Sequence, residues 1–373
     1  MSQHYSRRQF LRSCSAAALG AGVGLPKLGW GSVGASVREY RRNGMVYRRL
    51  GQTDLFLSIL SFGSHTDPSF KVHHGDRVVL NEEGQAIRDR QVARALDYGV
   101  NMVDVYESEG QWEPMARLVR SRRKNVLIST CRQFAQFVGD DIDQAVKLFG
   151  YIDLYRIYPG EGPKVDEKML LDWDVLRKAK EAGKVRAIGI ATHGEPLMCD
   201  ALEQLEGLDY VMFPYNFIHA RLDYGRFLPA AQARGVGLIA IKPMAAGSII
   251  SLDPRARQGS KPQDDKIQLY QSKYHPILPA VVDQLTRSLN RLPDETLCQA
   301  ALRFVFSQKS FTAAMPGMFE DFTVEDNYKA LCRYSELTHE EVAVLEAARQ
   351  YAAWLGPSWL PPHYRWLDER WRA

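Results

Sequence analysis

The sequence lacks the cysteine spacing of a metal centre. Its five cysteines, Cys14, Cys131, Cys199, Cys298 and Cys332, stand far apart with no CxxC or other ligand spacing. A zinc or iron–sulfur site is therefore not expected. Removal of Cys14 would leave an even number that permits disulfides in an oxidising compartment, but isolated buried thiols are the simpler reading. There is no internal repeat and no low-complexity tract. The apolar run from Ala16 to Leu25 is too short and too glycine-rich to cross a bilayer. Acidic residues are absent from Met1 to Ala35, which holds Arg7, Arg8, Arg12 and Lys27. The net charge of +4 resides there, and the remaining chain is neutral. A neutral body has no field to attract nucleic acid or an anionic membrane surface.

What the N-terminus does contain reads as an address. Ser6-Arg-Arg-Gln-Phe-Leu11 precedes the weakly apolar run, and small residues follow at Val33-Gly34-Ala35 as a cleavage site. Residues 1–35 are expected to be a twin-arginine (Tat) signal, read by the Tat translocation machinery and delivering the protein to the periplasm or another exported location. Cys14 lies before the apolar run, so no lipoprotein anchor is expected. Tat substrates cross folded, often with a cofactor in place.

The 373-residue chain is 45% hydrophobic, enough for one large domain, expected over residues 36–373. Its body is organised around Val100 to Glu113, VNMVDVYESEGQWE, a short apolar run interrupted by Asp104 that breaks into a polar turn at Gly110. A carboxylate at the end of a buried strand is costly unless something there uses it. Asp104, Tyr106 and Glu109 are the first candidates for a site. Strand-like runs cover Phe56–Gly63, Asn101–Val105, Asn125–Thr130, Ile152–Tyr158, Val185–Thr192, Tyr210–Asn216, Gly237–Met244 and Thr312–Met315. Helical spacing lies between them, as in Ile87, Val92, Ala93 and Leu96, or Met169, Leu170, Trp173 and Leu176. Eight apolar strands alternating with amphipathic helices point to an α/β fold, a closed (β/α)8 TIM barrel with a core over about 45–332. Met45–Gly51 and Leu55 onward read as an N-terminal hairpin leading into the first strand. The polar stretch Ser64–Gln85, with His65, His73 and His74, is expected to be a loop over one face. Ser251–His275 is a second long insertion on that face. Thr338-His-Glu-Glu341 is a capping box opening a C-terminal helical extension, and a tail with four tryptophans and three prolines follows from Trp354 to Trp371.

These runs resemble the aldo/keto reductases. YRRLGQTDLFLSILSFG looks like that family's opening, and Gly183-Lys-Val-Arg-Ala-Ile-Gly-Ile190 is similar to its fifth strand. Pro214-Tyr-Asn216 is similar to the end of its sixth strand. Ala314-Met-Pro-Gly317 with Glu325-Asp-Asn327 looks like its eighth strand and the cofactor helix after it. The resemblance implies hydride transfer between a nicotinamide cofactor, NAD or NADP, and a carbonyl or alcohol. It also implies a catalytic set of Asp, a Tyr acid, a Lys that lowers the Tyr pKa, and a His. Asp104 falls on the Asp position, but Glu109, Cys131 and Tyr158 occupy the Tyr, Lys and His positions. Without a neighbouring cation a tyrosine is too weak an acid. Glu109 could serve as the acid if burial raises its pKa. Tyr158 could donate where the His would, with Tyr106 close in sequence, and Lys242 could supply the missing cation from across the barrel.

On the cofactor side, Thr192-His193 stand where the family has Ser-Asn, Met212 where it has Gln, and Ile241 where a Tyr stacks on the nicotinamide. Lys242, Ala245, Ala246, Gly247, Pro316 and Gly317 lie in the loops that would cradle phosphates. Glu325 and Asn327 complete the candidate cofactor set. No basic residue is evident for a 2′-phosphate, and Glu320 and Asp321 would repel one. Three functions remain open: an exported oxidoreductase with an altered acid, a degenerate barrel that binds a sugar-like small molecule, and non-redox acid/base chemistry using Glu109, His193 and Lys242.

Overall fold

In the computed structural model the residues described are 38–75, 77–131, 137–158, 162–216, 224–244 and 295–343. The expected Tat signal (residues 1–35), the expected insertion 251–275, Ala245–Gly247 and the tryptophan-rich tail lie outside them. The chain enters as an antiparallel hairpin, β1 (Glu39–Arg42) on β2 (Met45–Arg49), and β2 pairs in turn with β3 (Phe56–Ser58). Seven parallel strands then curl in sequence order: β6 (Met102–Asp104), β7 (Leu127–Cys131), β8 (Ile152–Ile157), β9 (Val185–Ala191), β10 (Tyr210–Pro214), β11 (Gly237–Ile241) and β12 (Ala313–Met315).

The expected first strand, Phe56–Gly63, divides between two sheets. Phe56–Ser58 stays with the hairpin, whereas Leu60 and Phe62 form parallel bridges to Ala314 and Val103. The Ser61 amide donates to the Ala314 carbonyl at 2.9 Å and the Phe62 amide to that of Met102 at 3.0 Å. Residues 59–63 thereby join β12 to β6 and close the α/β barrel.

Parallel strands covered by helices are buried on both faces, and two distinct layers result. Val103, Ile128, Tyr155, Ile188, Val211, Leu238 and Ala314 face outward in the cluster beneath the helices. Met102, Leu127, Leu154, Ala187, Tyr210, Met212, Ile239 and Ala313 fill the interior. Leu50, Leu55 and Leu57 join that interior cluster from the hairpin. Gly51 fixes their position at the N-terminal ends of β10 and β11. Its φ is +51°, and a Cβ there would come within 2.6 Å of the Gly235 carbonyl oxygen.

The helices are α1 (Glu82–Asp97), α2 (Trp112–Val119), α3 (Val138–Phe149), α4 (Glu167–Glu181), α5 (Glu195–Gln204), α6 (Phe227–Ala233), α7 (Leu297–Ser307) and α8 (Asp321–Cys332). Side-chain caps start three of them, with Asn81, Asp166 and Thr296 accepting from the amides of Gly84, Met169 and Gln299. On α4, Met169, Trp173 and Leu176 pack inward as expected, but Leu170 turns toward solvent. The stretch after Gly63 is not simply a loop. It forms a short 3-10 turn (Pro68–Phe70) and an antiparallel hairpin, β4 (Lys71–His74) on β5 (Arg77–Leu80).

Strand β9 supplies the small side chains that let its neighbours be large. Gly189 is in register with Arg156 on one side and Tyr210 on the other. A Cβ at Gly189 would stand 2.6 Å from the Tyr210 ring and from the Tyr210 carbonyl oxygen. The ring could tilt, but the carbonyl is part of the sheet. Gly189→Ala is therefore expected to destabilise the protein by about 1–3 kcal/mol through overpacking. A urea-unfolding midpoint indistinguishable from wild type would contradict this packing.

Candidate active site

Because the barrel strands are parallel, their C-terminal ends share one rim. Asp104, Cys131, Tyr158, Thr192, Lys242 and Pro316 end a strand or follow one directly, and Asn216 lies two residues after β10. The sequence candidates therefore converge on this face, but they do not act through the contacts anticipated for them.

At the centre is Arg156, which the sequence reading passed over. It lies on β8, shares the inward face with Leu154 and Tyr158, and is fully buried. Its Nη1 donates to Asp104 Oδ1 at 2.6 Å and its Nη2 to Asp104 Oδ2 at 2.9 Å, a bidentate pair. Nη1 also reaches Ser129 Oγ at 3.1 Å and the Thr130 carbonyl at 3.3 Å. Ser129 Oγ itself donates to Asp104 Oδ1 at 2.7 Å. The cation beside Asp104 is thus Arg156, one strand beyond the position expected for a lysine. Burial disfavours the charged guanidinium, but Asp104 outweighs it and holds the Arg156 pKa above its ordinary value. Lys242 does not fill this place. It follows β11 with a left-handed φ of +51°, and burial pushes its pKa down to about 8.

Arg156 Nη2 donates a further hydrogen bond, of 3.0 Å, to Tyr106 Oη. Tyr106 Oη lies 3.2 Å from Tyr158 Oη. Either hydroxyl can be the donor of that bond; in the arrangement that continues the chain from the guanidinium, Tyr106 donates to Tyr158. Tyr158 is 48% exposed at the barrel mouth. Burial raises the pKa of both phenols, against the opposing influence of Arg156. Both therefore remain protonated and act as hydrogen-bond donors. Beneath them Tyr210 is fully buried, and its hydroxyl has no hydrogen-bond partner among the described residues.

Glu109 behaves opposite to expectation. It sits in the 3-10 turn Glu107–Glu109, which Gly110 terminates in a left-handed conformation. Burial alone would raise its pKa. Instead hydrogen bonds from His65 and Thr66, together with the charges of His65 and Lys71, pull it down to about 2. The contacts are His65 Nδ1 at 3.0 Å, the Thr66 amide at 2.7 Å, the Thr66 hydroxyl, and Lys71 Nζ at 3.1 Å. A carboxylate held this way has no proton to donate at neutral pH, so the role of acid is withdrawn from Glu109. Its neighbour Glu107 accepts from the Trp112 amide at 3.1 Å, starting α2, and pairs with Arg77 of β5 at 2.8 Å. The two glutamates clamp residues 65–77 against the turn after β6. A Cβ on Gly110 would lie 2.6 Å from Val79 Cγ1, so this close approach of the β4–β5 hairpin requires glycine.

This arrangement accompanies a family match. Residues 75–350 match the aldo/keto reductase family, well over half of the chain. The chain belongs to the aldo/keto reductase family. It is 23% identical over 332 residues to the L-glyceraldehyde 3-phosphate reductase of Escherichia coli K12, covering 79% of this chain and 90% of that protein. It is 22% identical over 330 residues to the L-galactose dehydrogenase of Arabidopsis thaliana, covering 80% and 92%. Among solved structures, an aldo-keto reductase from Bacillus halodurans in its holo form superposes with a TM-score of 0.60 at 20% identity, covering 82% of this chain and 95% of that one. The glycerol dehydrogenase of Gluconobacter oxydans gives 0.62 at 18% identity, covering 83% and 95%.

In this member of the aldo/keto reductase family, Asp104 is paired with Arg156 and Ser129, and the guanidinium reaches Tyr106. Among the residues expected to face a cofactor, the Thr192 amide donates to the Met212 carbonyl at 3.1 Å, and Thr192 Oγ1 accepts from the Gly194 amide. Ile241 is only partly covered, packed against the interior cluster. Asn216 donates to the Lys242 carbonyl at 3.1 Å. His193 sits at the same rim, between Thr192 and Gly194. After β12, Pro316 accepts from the Gly63 amide at 3.2 Å, and Gly317 is exposed.

Arg88 of α1 ties this corner together. It donates to the carbonyls of Gly63 at 2.7 Å and Met318 at 3.2 Å, with its guanidinium 4.4 Å from the centroid of the Phe62 ring. Burial lowers its pKa to about 10. On α8, Glu325 bonds Arg94 at 3.0 Å and also Tyr98, while Asp321 bonds Arg90 at 2.7 Å. Both acids are committed to α1. Asn327 is buried, and its neighbour Asp326 accepts from Gln299 of α7 at 2.6 Å.

Proposed function

We propose that this protein transfers hydride between a nicotinamide dinucleotide and a carbonyl or alcohol substrate, using Arg156, Tyr106 and Tyr158 in place of the family's usual Tyr, Lys and His. The observation that carries this reading is the continuous donor chain from the Asp104–Arg156 pair through Tyr106 to Tyr158 at the mouth. Each bond polarises the next, so the outermost hydroxyl is a strengthened donor toward a carbonyl oxygen. The oxygen is oriented and its developing charge met by a hydrogen bond, without the phenol ionising.

The chemistry of the rim suits the dinucleotide. Ile241, partly covered over the buried Met212, would offer an apolar surface for a nicotinamide ring, with Thr192 and His193 as polar neighbours. Pro316, the exposed Gly317 and Lys242 would border the phosphates, while Glu325 would have to leave Arg94 and Tyr98 to meet an adenosine. The bound nicotinamide would supply or accept the hydride. Glu320 is raised in pKa by burial and by Asp67, and Asp321 stands beside it. Arg90 neutralises Asp321 at 2.7 Å, which leaves Glu320 as the carboxyl that would disfavour a 2′-phosphate and favour NAD.

Export fits the same reading. Residues 1–35 would take the folded protein, with its dinucleotide, through the Tat machinery to the periplasm, where a small-molecule substrate would enter from the mouth. The test is to purify the exported protein without added cofactor, denature it and identify released dinucleotide by mass spectrometry. The apoprotein would then be titrated with NADH and NADPH. Near-stoichiometric NAD, or micromolar NADH affinity at least tenfold tighter than NADPH, is the expected result. No release and no binding at millimolar concentrations of either would sink the redox reading and leave a ligand-binding or non-redox barrel.

A further inference from the structure

Of the groups gathered around Asp104, none readily gives up a proton at neutral pH, and Lys242, lowered to about 8, follows β11 on another side of the rim. Asp104 is locked to Arg156 by both oxygens, the two phenols are costly to ionise, and Glu109 is already a carboxylate. Reduction of a carbonyl nevertheless consumes one proton for each hydride. We propose that His65 is the proton donor and acceptor of the site, and that Glu109 is the positioning residue that fixes its ring. This rests on the hydride-transfer reading above.

The geometry is that of a carboxylate–imidazole pair. His65 Nδ1 lies 3.0 Å from Glu109 Oε1. An ionised carboxylate can only accept, so Nδ1 carries the hydrogen and Nε2 is the nitrogen that exchanges protons. Glu109 cannot swing away: Oε2 is held by the Thr66 amide and hydroxyl, and Oε1 also takes Lys71 Nζ. Thr66 directly follows His65, so one carboxylate pins both the ring and its backbone. The His65 side chain is 63% exposed. Its ring meets the Tyr106 ring edge-on, centroids 5.5 Å apart at 88°. The imidazole therefore stands beside the hydroxyl pair that would hold the carbonyl oxygen.

In reduction, hydride adds to the carbonyl carbon and the π electron pair moves to oxygen. That oxygen takes the proton from Nε2 of the imidazolium, leaving neutral imidazole. Oxidation runs the same steps backward. The family's histidine position, Tyr158, has kept a donor, while the imidazole itself comes from the loop after the first barrel strand.

Two measurements decide it. Nitrogen-15 NMR of histidine-labelled apoprotein, with the His65 signals assigned from their loss in His65→Gln, should show the neutral ring as the Nδ1–H tautomer. Glu109→Gln should shift it toward Nε2–H. An Nε2–H ring in the wild-type protein would overturn the proposal whether or not the protein turns over. In steady-state reduction of DL-glyceraldehyde with NADH and NADPH, His65→Gln should lower kcat about 100-fold. Cofactor affinity should stay within twofold, and added imidazole should partly restore His65→Ala. A His65→Gln kcat within threefold of wild type, or a comparable loss confined to Lys242→Met, would also overturn it. If wild type itself shows neither cofactor binding nor turnover, the hydride reading fails first and takes this role for His65 with it. The tautomer result would then describe the pair alone.

Discussion

Arg156→Met is expected to lower folding stability by about 3–5 kcal/mol and to abolish turnover. The cost is not the loss of one attractive contact. It comes from stranding the Asp104 carboxylate, fully buried, with Ser129 as its remaining side-chain donor. A second substitution separates the two consequences. Asp104→Leu placed on top of Arg156→Met removes the orphaned charge, so the double variant should recover most of the lost stability. It should recover no activity, because the Tyr106–Tyr158 hydroxyls have then lost the donor that polarises them. Urea unfolding of both single variants and the double variant measures the coupling, with activity followed in parallel. If the double variant is as unstable as the sum of the singles, the pair does not act as a unit and the account of the barrel centre is wrong. Normal turnover by Arg156→Met would instead remove the arginine from the proposed chemistry.

Acid should loosen the rim through Glu109. Its folded pKa of about 2 lies below its ordinary value of 4.5. The stabilisation is thus fully present above pH 4.5 and is lost as the pH falls toward 2. Integrated over that window the linkage is worth roughly 3 kcal/mol. Other carboxylates titrate in the same range, so the informative quantity is the difference from Glu109→Gln. Unfolding free energies at pH 6 and pH 2.5 should fall by about 2–3 kcal/mol less in Glu109→Gln than in wild type. Equal acid sensitivity in the two proteins would mean that Glu109 is not held as a carboxylate by His65, Thr66 and Lys71.

The strands of the barrel were readable because each is a compact apolar run between helical spacings. Asn101–Val105, Ile152–Tyr158 and Val185–Thr192 are found as Met102–Asp104, Ile152–Ile157 and Val185–Ala191. The first strand misled because one continuous run, LFLSILSFG, serves two sheets, and nothing in its hydrophobicity marks Ser58 as the change of partner. The β4–β5 hairpin is hidden by its shortness and by the polar Lys71, His73 and His74 of β4, although β5 carries the apolar Val78, Val79 and Leu80. Its turn signal, Gly75 between Lys71–His74 and Arg77–Leu80, was present all the same.

Arg156 was missed for a related reason. Strands buried on both faces do not alternate visibly, so the arginine in DLYRIYP reads as an interruption rather than as an inward position. Parity was the available clue: Arg156 is two residues from both Leu154 and Tyr158. A buried Asp104 also required a cation somewhere inside. Family resemblance directed attention to Cys131 and Lys242 instead. Glu109 lies in the turn after β6, but its ionisation depends on His65, Thr66 and Lys71, which come from a separate stretch of chain with no sequence signal that they converge on it.

The way the barrel closes sets the order in which it can form. Strands β6 to β10 each find a neighbour as soon as the next unit is made, so that arc can grow as the chain lengthens. Its two free edges can meet only through Leu60 and Ala314, at opposite ends of the barrel sequence, joined by isolated bridges and by Arg88 spanning Gly63 and Met318. Closure of the ring is therefore a late, long-range event in folding. A nascent chain halted before Ala313 would carry an assembled Asp104–Arg156 pair inside an open sheet, with both edges bare and available to other chains.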